Sequence, residues 1–374
     1  MKISLIGPTY PFRGGISHYT TLLFDHLCLR HDVQFFSFKR QYPKWLFPGK
    51  TDLDPSQIPI KTKGVKHILD SMNPFTWVIV AWKIIKSRQD LLIIPWWVSF
   101  WAPQFFIISF FVKLCCRTKI LFLCHNVVEH ESKWIDKILT RMVLKHGDMF
   151  IVHSSEDYHN LLTMIPDATV EKSFHPTYDV FNTSVSDTSM INREEDAKEH
   201  ILLFFGFVRE YKGLKYLINA MPDILDQIPV TLLVVGEFWK DKDDYLRLIK
   251  ELDLDKHVTL VDAYVPNESV GKYFRSADLI VQPYVSATGS GVIQAAFGFN
   301  KPVVATAVGS LPEIVEHGKT GYLVMPKDVK ALSEAIIRFF KENKYQTFSQ
   351  NIANQSYRFS WDKMVDVIEH LAGR

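Results

Sequence analysis

The segment DLIVQPYVSATGSGVIQAAFGFNKPVVATAVGSLPE, residues 278–313, constrains the fold of this chain more than any other stretch. Its first apolar run, Asp278 to Tyr284, reads as a buried strand. The small-residue loop Ser286 to Gly291 opens a helix, and Pro302 to Ala307 reads as the next strand. Strands joined through a helix lie parallel in one sheet. In such a unit the loop's backbone N–H groups and the positive end of the helix converge, which suits a diphosphate.

The same alternation runs through the rest of the chain, the pattern of parallel α/β sheets. In the first half, strands are expected at Lys2–Ile6, Val33–Phe38, Leu91–Trp96, Lys119–Cys124 and Met149–His153, with a helical run from Ile16 to Leu29. Residues 40–75 lack clear periodicity and are expected to form a long functional loop. Residues 91–116 look apolar enough to cross a bilayer. Pro95 and Pro103 interrupt that run, however, so it reads as a strand, a bend and a buried helix from about Ala102 to Cys116.

Residues 179–199 are polar without an apolar period, which is a linker signature. A second set of strands follows at Ile201–Phe205, Thr231–Val235, Val258–Val261, Leu279–Pro283, Val303–Ala305 and Tyr322–Val324. Helical runs at Leu214–Leu225, Tyr245–Leu252 and Val329–Phe340 fall between them. A chain of 374 residues with 47% apolar content can build two cores. The expected fold is therefore α/β, with two doubly wound domains whose strand carboxyl ends face a central cleft.

Net charge is only +2 but unevenly placed. Residues 1–178 hold 21 basic and 14 acidic residues, and residues 39–88 hold ten basic against three acidic. Tyr42, Trp45, Phe47, Trp77 and Trp82 are interleaved with these cations. The mixture, including Lys39, Arg40, Lys44, Trp45 and Lys50, fits an anionic membrane surface or a phosphorylated lipid, or else a solvated face with a few anchoring aromatics. No nucleic-acid-binding motif accompanies the charge, so nucleic acid is not an expected partner. Cys28, Cys115, Cys116 and Cys124 show no metal-ligand spacing and read as buried small hydrophobes in a reducing compartment. The start MKISLIGP enters a strand directly, without the pattern of a secretory signal.

Four loops follow predicted strands, where doubly wound sheets bind ligands. The first, GPTYPFRGG, ends in Gly14 and Gly15, which let a ligand approach the backbone. The second, CHNVVEHE, carries His125, suited to a sugar hydroxyl or to proton transfer. Its His125, Glu129, His130 and Glu131 lack the spacing of a helical metal motif, so no metal is expected. The third, GFVREYKG, places Arg209 and Lys212 near a helix N-terminus, where cations are unfavourable unless an anion is bound. The fourth is Thr288, Gly289, Ser290 and Gly291, with Gln294 four residues after Ser290. Glu313, in the next loop, is suited either to a ligand hydroxyl or to capping chemistry behind Pro312.

These residues resemble a known family. GFVREYKGLKYLINA, LLVVGE, VDAYVPNESVGKYFRSADLIVQPY, GSGVIQAAFGFNKPVVATAVGSLPEIVEHGKTGYLV and the late FSW are similar to the retaining, family-four nucleotide-sugar glycosyltransferases of the GT-B fold. The likeness is dense from about 200 to 325 and thinner before. It implies an acceptor-binding domain over 1–180 joined by a terminal helix at 358–374, a linker at 181–199, and a nucleotide-sugar-binding domain over 200–357. It further implies a metal-independent hexosyltransferase with no cofactor, taking a nucleotide sugar as donor and a glycan or lipid-linked molecule as acceptor. Such an enzyme is expected in the cytoplasm, peripheral on the inner face of the plasma membrane, in surface polysaccharide or glycolipid synthesis.

By the same resemblance Lys212 matches a diphosphate-binding lysine, and Arg209 stands two residues beyond the family's usual arginine position, here Phe207. Thr288, Gly289 and Ser290 match backbone donors to the diphosphate and sugar, and Tyr264 and Val265 the segment that meets the base. His125 matches a histidine near the transferred sugar, and Gly15 a glycine near the phosphates. One departure is plain: where the family commonly has two glutamates, this chain has Ser286 and Gln294. A non-catalytic sugar-nucleotide or glycan-binding subunit of a membrane-associated assembly is the alternative reading.

Overall fold

The computed structural model describes residues 1–43, 51–128, 133–182 and 199–373. The chain divides into two compact units. The first comprises Met1–Pro55, Pro59–Phe174 and Ser360–Arg374, and the second Ser56–Ile58 and His175–Phe359. The division thus falls at Phe174–His175, ahead of the expected 180. The reason is that Asp179–Asn182 forms a short 3₁₀ turn packed on second-unit helices, including Gly291–Gly298. The rest of the expected linker, 183–198, lies outside the described residues.

The first unit holds a seven-stranded parallel sheet: β1 (Lys2–Ile6), β2 (Asp32–Arg40), β3 (Lys66–Asp70), β4 (Leu91–Trp96), β5 (Lys119–Cys124), β6 (Met149–Val152) and β7 (Thr169–Lys172). Their order is β3-β2-β1-β4-β5-β6-β7. Strands β4 and β5 read as unbroken apolar runs because helices cover both sheet faces. The order reverses between β1 and β4, where Ile3 stands opposite Leu91.

The second unit repeats this logic with six strands: β8 (His200–Phe205), β9 (Val230–Val235), β10 (Val258–Val261), β11 (Leu279–Gln282), β12 (Val303–Thr306) and β13 (Gly321–Val324). Here the order is β10-β9-β8-β11-β12-β13, and it reverses between β8 and β11.

Local chemistry sets the helix starts. Ser154 Oγ accepts from Asp157 N at 2.9 Å, and Asp328 Oδ1 from Ala331 N at 2.9 Å, each satisfying a first-turn donor. Asn73 accepts from Phe75 N ahead of Pro74, whose fixed φ suits the first helical position.

Three expectations need correction. Residues 40–75 are not one long loop, since Lys66–Asp70 is the edge strand β3. Only Leu69 is buried there, so the sequence carries no alternation; pairing with β2 defines the strand. The cysteines are not uniformly buried: Cys124 is, but Cys28 and Cys115 are exposed and Cys116 is half-buried. Cys28 and Cys115 end their helices, past the packing face. Trp77 is not interfacial; its ring lies in the core and its indole N–H donates to Asp70 O at 2.7 Å. As for residues 91–116, they form β4 and a 14-residue helix, Ala102–Cys115. Among the described residues no helix is long and apolar enough to cross a membrane.

The terminal helix Trp361–Gly373 belongs to the first unit and packs on helix Gly15–Cys28. Trp361 stacks on His26 with centroids 5.6 Å apart and meets Tyr19 at 5.1 Å. Arg30 pairs with Asp366 at 2.7 Å and with Asp362 and Glu369 at 3.4 Å. These charges are largely solvated, so the pairs contribute little to stability. The apolar side, with Trp361, Met364, Ile368 and Leu371 buried, dominates. Trp361→Ala is expected to cost about 3–5 kcal/mol and Arg30→Ala far less, measured by urea unfolding.

Two histidines of this unit, His18 and His153, are buried, and that burial pushes both down to about 4. The nearby Asp54 carboxylate and a hydrogen bond from His153 Nδ1 to Ser173 O (2.8 Å) oppose the shift without cancelling it. The unfolded chain therefore binds more protons between pH 4 and 6.5, and stability falls as pH drops through that window. The loss is on the order of 3 kcal/mol per histidine. Melting temperature should decline below pH 6.5, and less steeply in a His153→Phe variant.

Candidate active site

In the second unit the loops leaving β8 and β11 flank the point where strand order reverses, so a crevice opens between them. The β8 loop ends in a 3₁₀ turn, Glu210–Lys212, and Gly213 at φ 71°. A Cβ at Gly213 would stand 2.0 Å from Pro283 O, so only glycine lets the two loops close up. Val285 N then donates to Tyr211 O at 2.7 Å and ties them together.

The β11 loop is held from its other side as well. Thr306 Oγ1 donates to Tyr284 O at 2.5 Å, and Ser310 N donates to Thr288 O at 3.2 Å. Gly309, at φ 50°, leaves no room for a side chain: its Cβ would meet Ala287 O at 1.6 Å. Ser290 caps helix Gly291–Gly298 by accepting from Ile293 N at 3.3 Å, and its hydroxyl lies 3.2 Å from that of Tyr284. Burial pushes the Tyr284 phenol up to about 12, so it stays a neutral hydrogen-bonding group. Thr288, Gly289 and Ser290 are thereby fixed at a helix mouth.

Two cations stand at this crevice. The Arg209 guanidinium lies 4.5 Å from the Trp239 ring and 5.1 Å from that of Tyr211. Lys212 Nζ lies 5.4 Å from the Tyr284 ring. Among the described residues neither has a carboxylate within ion-pair distance. Burial holds the Lys212 ammonium below its ordinary pKa, and Arg209 acts in the same direction, against Tyr211. Half-buried cations over aromatic faces and lacking counter-charges, beside a helix N-terminus, are suited to an anion.

Gln294, one turn into the capped helix, is fully buried, and neither of its amide atoms has a hydrogen-bond partner. Gln282, at the carboxyl end of β11, is in the same condition. Glu313 sits half-buried in the short helix Leu311–Ile314; Arg358 donates to its carbonyl at 2.8 Å and pairs with Glu316 at 3.3 Å. Tyr264 and the buried Val265 follow β10. Phe207 links Tyr264 (6.2 Å) to Trp239 (5.3 Å) and so to Arg209. Trp239, Tyr211, Tyr284 and Gln282 also stand at this crevice, beyond the residues the sequence singles out. Only Tyr284 carried a signal, as the last residue of the apolar run ahead of the small-residue loop.

In the first unit Gly14 precedes helix Gly15–Cys28 with φ 111°, and no atom lies within 4 Å of the place a Cβ would take. His125 follows β5 directly; its N–H donates to Trp96 O at 2.8 Å. Its ring meets Tyr19 edge-on at 4.6 Å and His153 at 5.2 Å. Lys39 and Arg40 end β2, where Arg40 grips Asp70 through two hydrogen bonds of 2.8 Å. Lys44, Trp45, Lys50, Glu129, His130 and Glu131 lie outside the described residues.

Residues 199–342 match the family model of glycosyl transferases group 1. An uncharacterized glycosyltransferase of Methanocaldococcus jannaschii is 31% identical over 169 residues, 44% of this chain and 43% of that protein. The matched length is thus under half of that curated relative. Spore coat protein SA of Bacillus subtilis is 23% identical across 98% of this chain and 97% of its own length. Among solved structures, Anabaena HepE in complex with UDP superposes with a TM-score of 0.73 at 20% identity, each chain fully covered. Residues 199–342 are therefore similar to a group 1 glycosyltransferase domain. The chain as a whole has the GT-B fold, with its two Rossmann-like units.

An anion bound at this crevice favours the Lys212 ammonium and raises its depressed pKa, so binding takes up a proton between the free and bound values. Affinity for pyrophosphate or UDP should fall with rising pH above the free-state pKa of Lys212, by at most about tenfold per unit. Calorimetric titration across alkaline pH should show this slope, and Lys212→Arg should abolish it.

Proposed function

We propose that the protein is a retaining glycosyltransferase. It moves a hexose from a nucleotide-diphosphate sugar to a glycan or lipid-linked acceptor in building surface polysaccharide or glycolipid. One observation carries this reading: Arg209 and Lys212, without carboxylate partners, stand beside the helix mouth at Ser290. The group 1 match, the UDP complex of HepE and the likeness to a spore coat protein support it.

The barrier in such a transfer lies in breaking the bond from the anomeric carbon to the diphosphate while positive charge develops on the sugar. Arg209, Lys212 and the first-turn amides after Ser290 stabilise the negative charge growing on the leaving diphosphate, in a frame that need not reorganise. The acceptor hydroxyl attacks from the same face. Its oxygen forms the new bond to the anomeric carbon, and its proton passes to a leaving phosphate oxygen. In this reading no metal or other cofactor is required, and His125 orients the sugar. Gln294 offers an amide to a sugar or ribose hydroxyl, and Tyr264 and Val265 meet the base. We place the enzyme in the cytoplasm, peripheral on the inner membrane face.

A second reading, a non-catalytic sugar-nucleotide-binding subunit, draws on the uncharged Ser286 and Gln294 at positions where the family has glutamates. The two separate on turnover. Arg209→Ala and Lys212→Ala should each lower the transfer rate on the order of 10²–10³-fold, roughly 3–4 kcal/mol of transition-state stabilisation, with chelator leaving the native rate unchanged. Release of nucleoside diphosphate from a panel of nucleotide sugars measures this. Near-native turnover in both variants would refute the mechanism.

A further inference from the structure

Helices Pro74–Ser87, Ala102–Cys115 and Trp134–Leu144 lie side by side over one face of the first unit's sheet. Inward they contribute Trp77, Ile84, Phe105, Ile108, Val143 and Leu144 to the core. A surface helix normally turns polar residues to the opposite side. These three do not.

On helix Pro74–Ser87 the outer stripe is Phe75, Val78, Ile79 and Trp82, at helical spacing, with Phe75 80% exposed. On Ala102–Cys115 it is Phe110 and Leu114. On Trp134–Leu144 it is Trp134, Ile138 and Met142, with Trp134 74% exposed. Monomeric soluble proteins rarely leave so many large apolar side chains contiguous and bare.

Charge identifies what covers this face. Lys133, Lys137, Arg141 and Lys145, all exposed and four residues apart, run beside the Trp134–Ile138–Met142 stripe. Lys86 Nζ stands 4.9 Å from the Trp82 ring. The three helices contain a single carboxylate, Asp136, already bonded by Ser99 Oγ and Lys133 N at 2.8 Å each. An apolar stripe with tryptophans, rimmed by lysine and arginine, matches the acyl and headgroup layers of an anionic bilayer. A second copy of the chain would bring another cationic row with no acidic row to answer it. Since no described helix can span, the contact is with the surface.

We propose that this three-helix face is a docking surface for an anionic lipid bilayer. It replaces Lys39 and Arg40, the latter held by Asp70, as the membrane contact of the first unit. The inference draws on the transferase reading only for the idea of a lipid-linked acceptor, and its test needs no substrate.

The full chain is floated with vesicles of phosphatidylcholine alone and of an equal mixture with phosphatidylglycerol. It should float with the mixture, stay behind with phosphatidylcholine, and release at high salt. Trp82→Gln with Trp134→Gln, and separately Lys137→Glu with Arg141→Glu, should each weaken partition about tenfold or more. All four positions are exposed, so melting temperature and its rise with UDP should stay native. A native chain that ignores anionic vesicles, or variants that float like it, overturns the proposal. So does light scattering that finds a dimer dissociated by the tryptophan pair without any vesicle binding. Loss of the UDP effect alone would count against the transferase reading and leave this surface intact.

Discussion

Each sheet of this protein is parallel and covered on both faces, and each reverses its strand order once. A strand–helix–strand connection returns to the same sheet with one hand only, so a chain that winds both ways from its first strand leaves two neighbours whose loops depart to opposite sides. Between those loops lies a crevice lined by strand carboxyl ends and helix amino ends. In the second unit that place is β8 against β11, and the chemistry found there follows from it. Arg209 and Lys212 come from one side of the reversal, and Ser290 from the other.

The crevice keeps its shape because backbone, not side chains, ties it. Tyr211 O with Val285 N, and Thr288 O with Ser310 N, hold the β11 loop from two directions. Gly213 and Gly309 permit approaches that any Cβ would block. Side chains then tune the site. Trp239 and Tyr211 flank the guanidinium of Arg209, and Tyr284 lies beside both Lys212 and Ser290. Rigid polar groups aimed at one point are worth more than the same groups free to relax. The first unit repeats the topology, but its helix mouth is bare glycine, Gly14, without a side-chain cap.

The two units also differ outside their crevices. Helix Pro74–Ser87 is apolar both where Trp77 and Ile84 enter the core and where Phe75 and Trp82 do not. A helix apolar on both its inner and outer faces shows only a weak period, so its sequence does not mark it. Trp134–Leu144 is different: its cations and apolar residues form neighbouring stripes, an arrangement visible in sequence only once the helix is known.

What the sequence determined by itself is the alternation of strand and helix. Most of the expected strands and helices, among them Lys2–Ile6, Leu91–Trp96, Lys119–Cys124, Leu214–Leu225 and Val258–Val261, need little or no adjustment, because runs buried on two faces and stripes buried on one leave distinct periods. The loops bearing Lys212, Ser290 and His125 were equally legible, since glycine and small residues mark chain turns. Tertiary structure alone decided the rest. β3 exists because β2 offers it an edge, and residues 175–182 join the second unit because of what they pack on. Trp239 joins Arg209 only once β9 lies beside β8, and no local pattern can encode a contact made across a sheet.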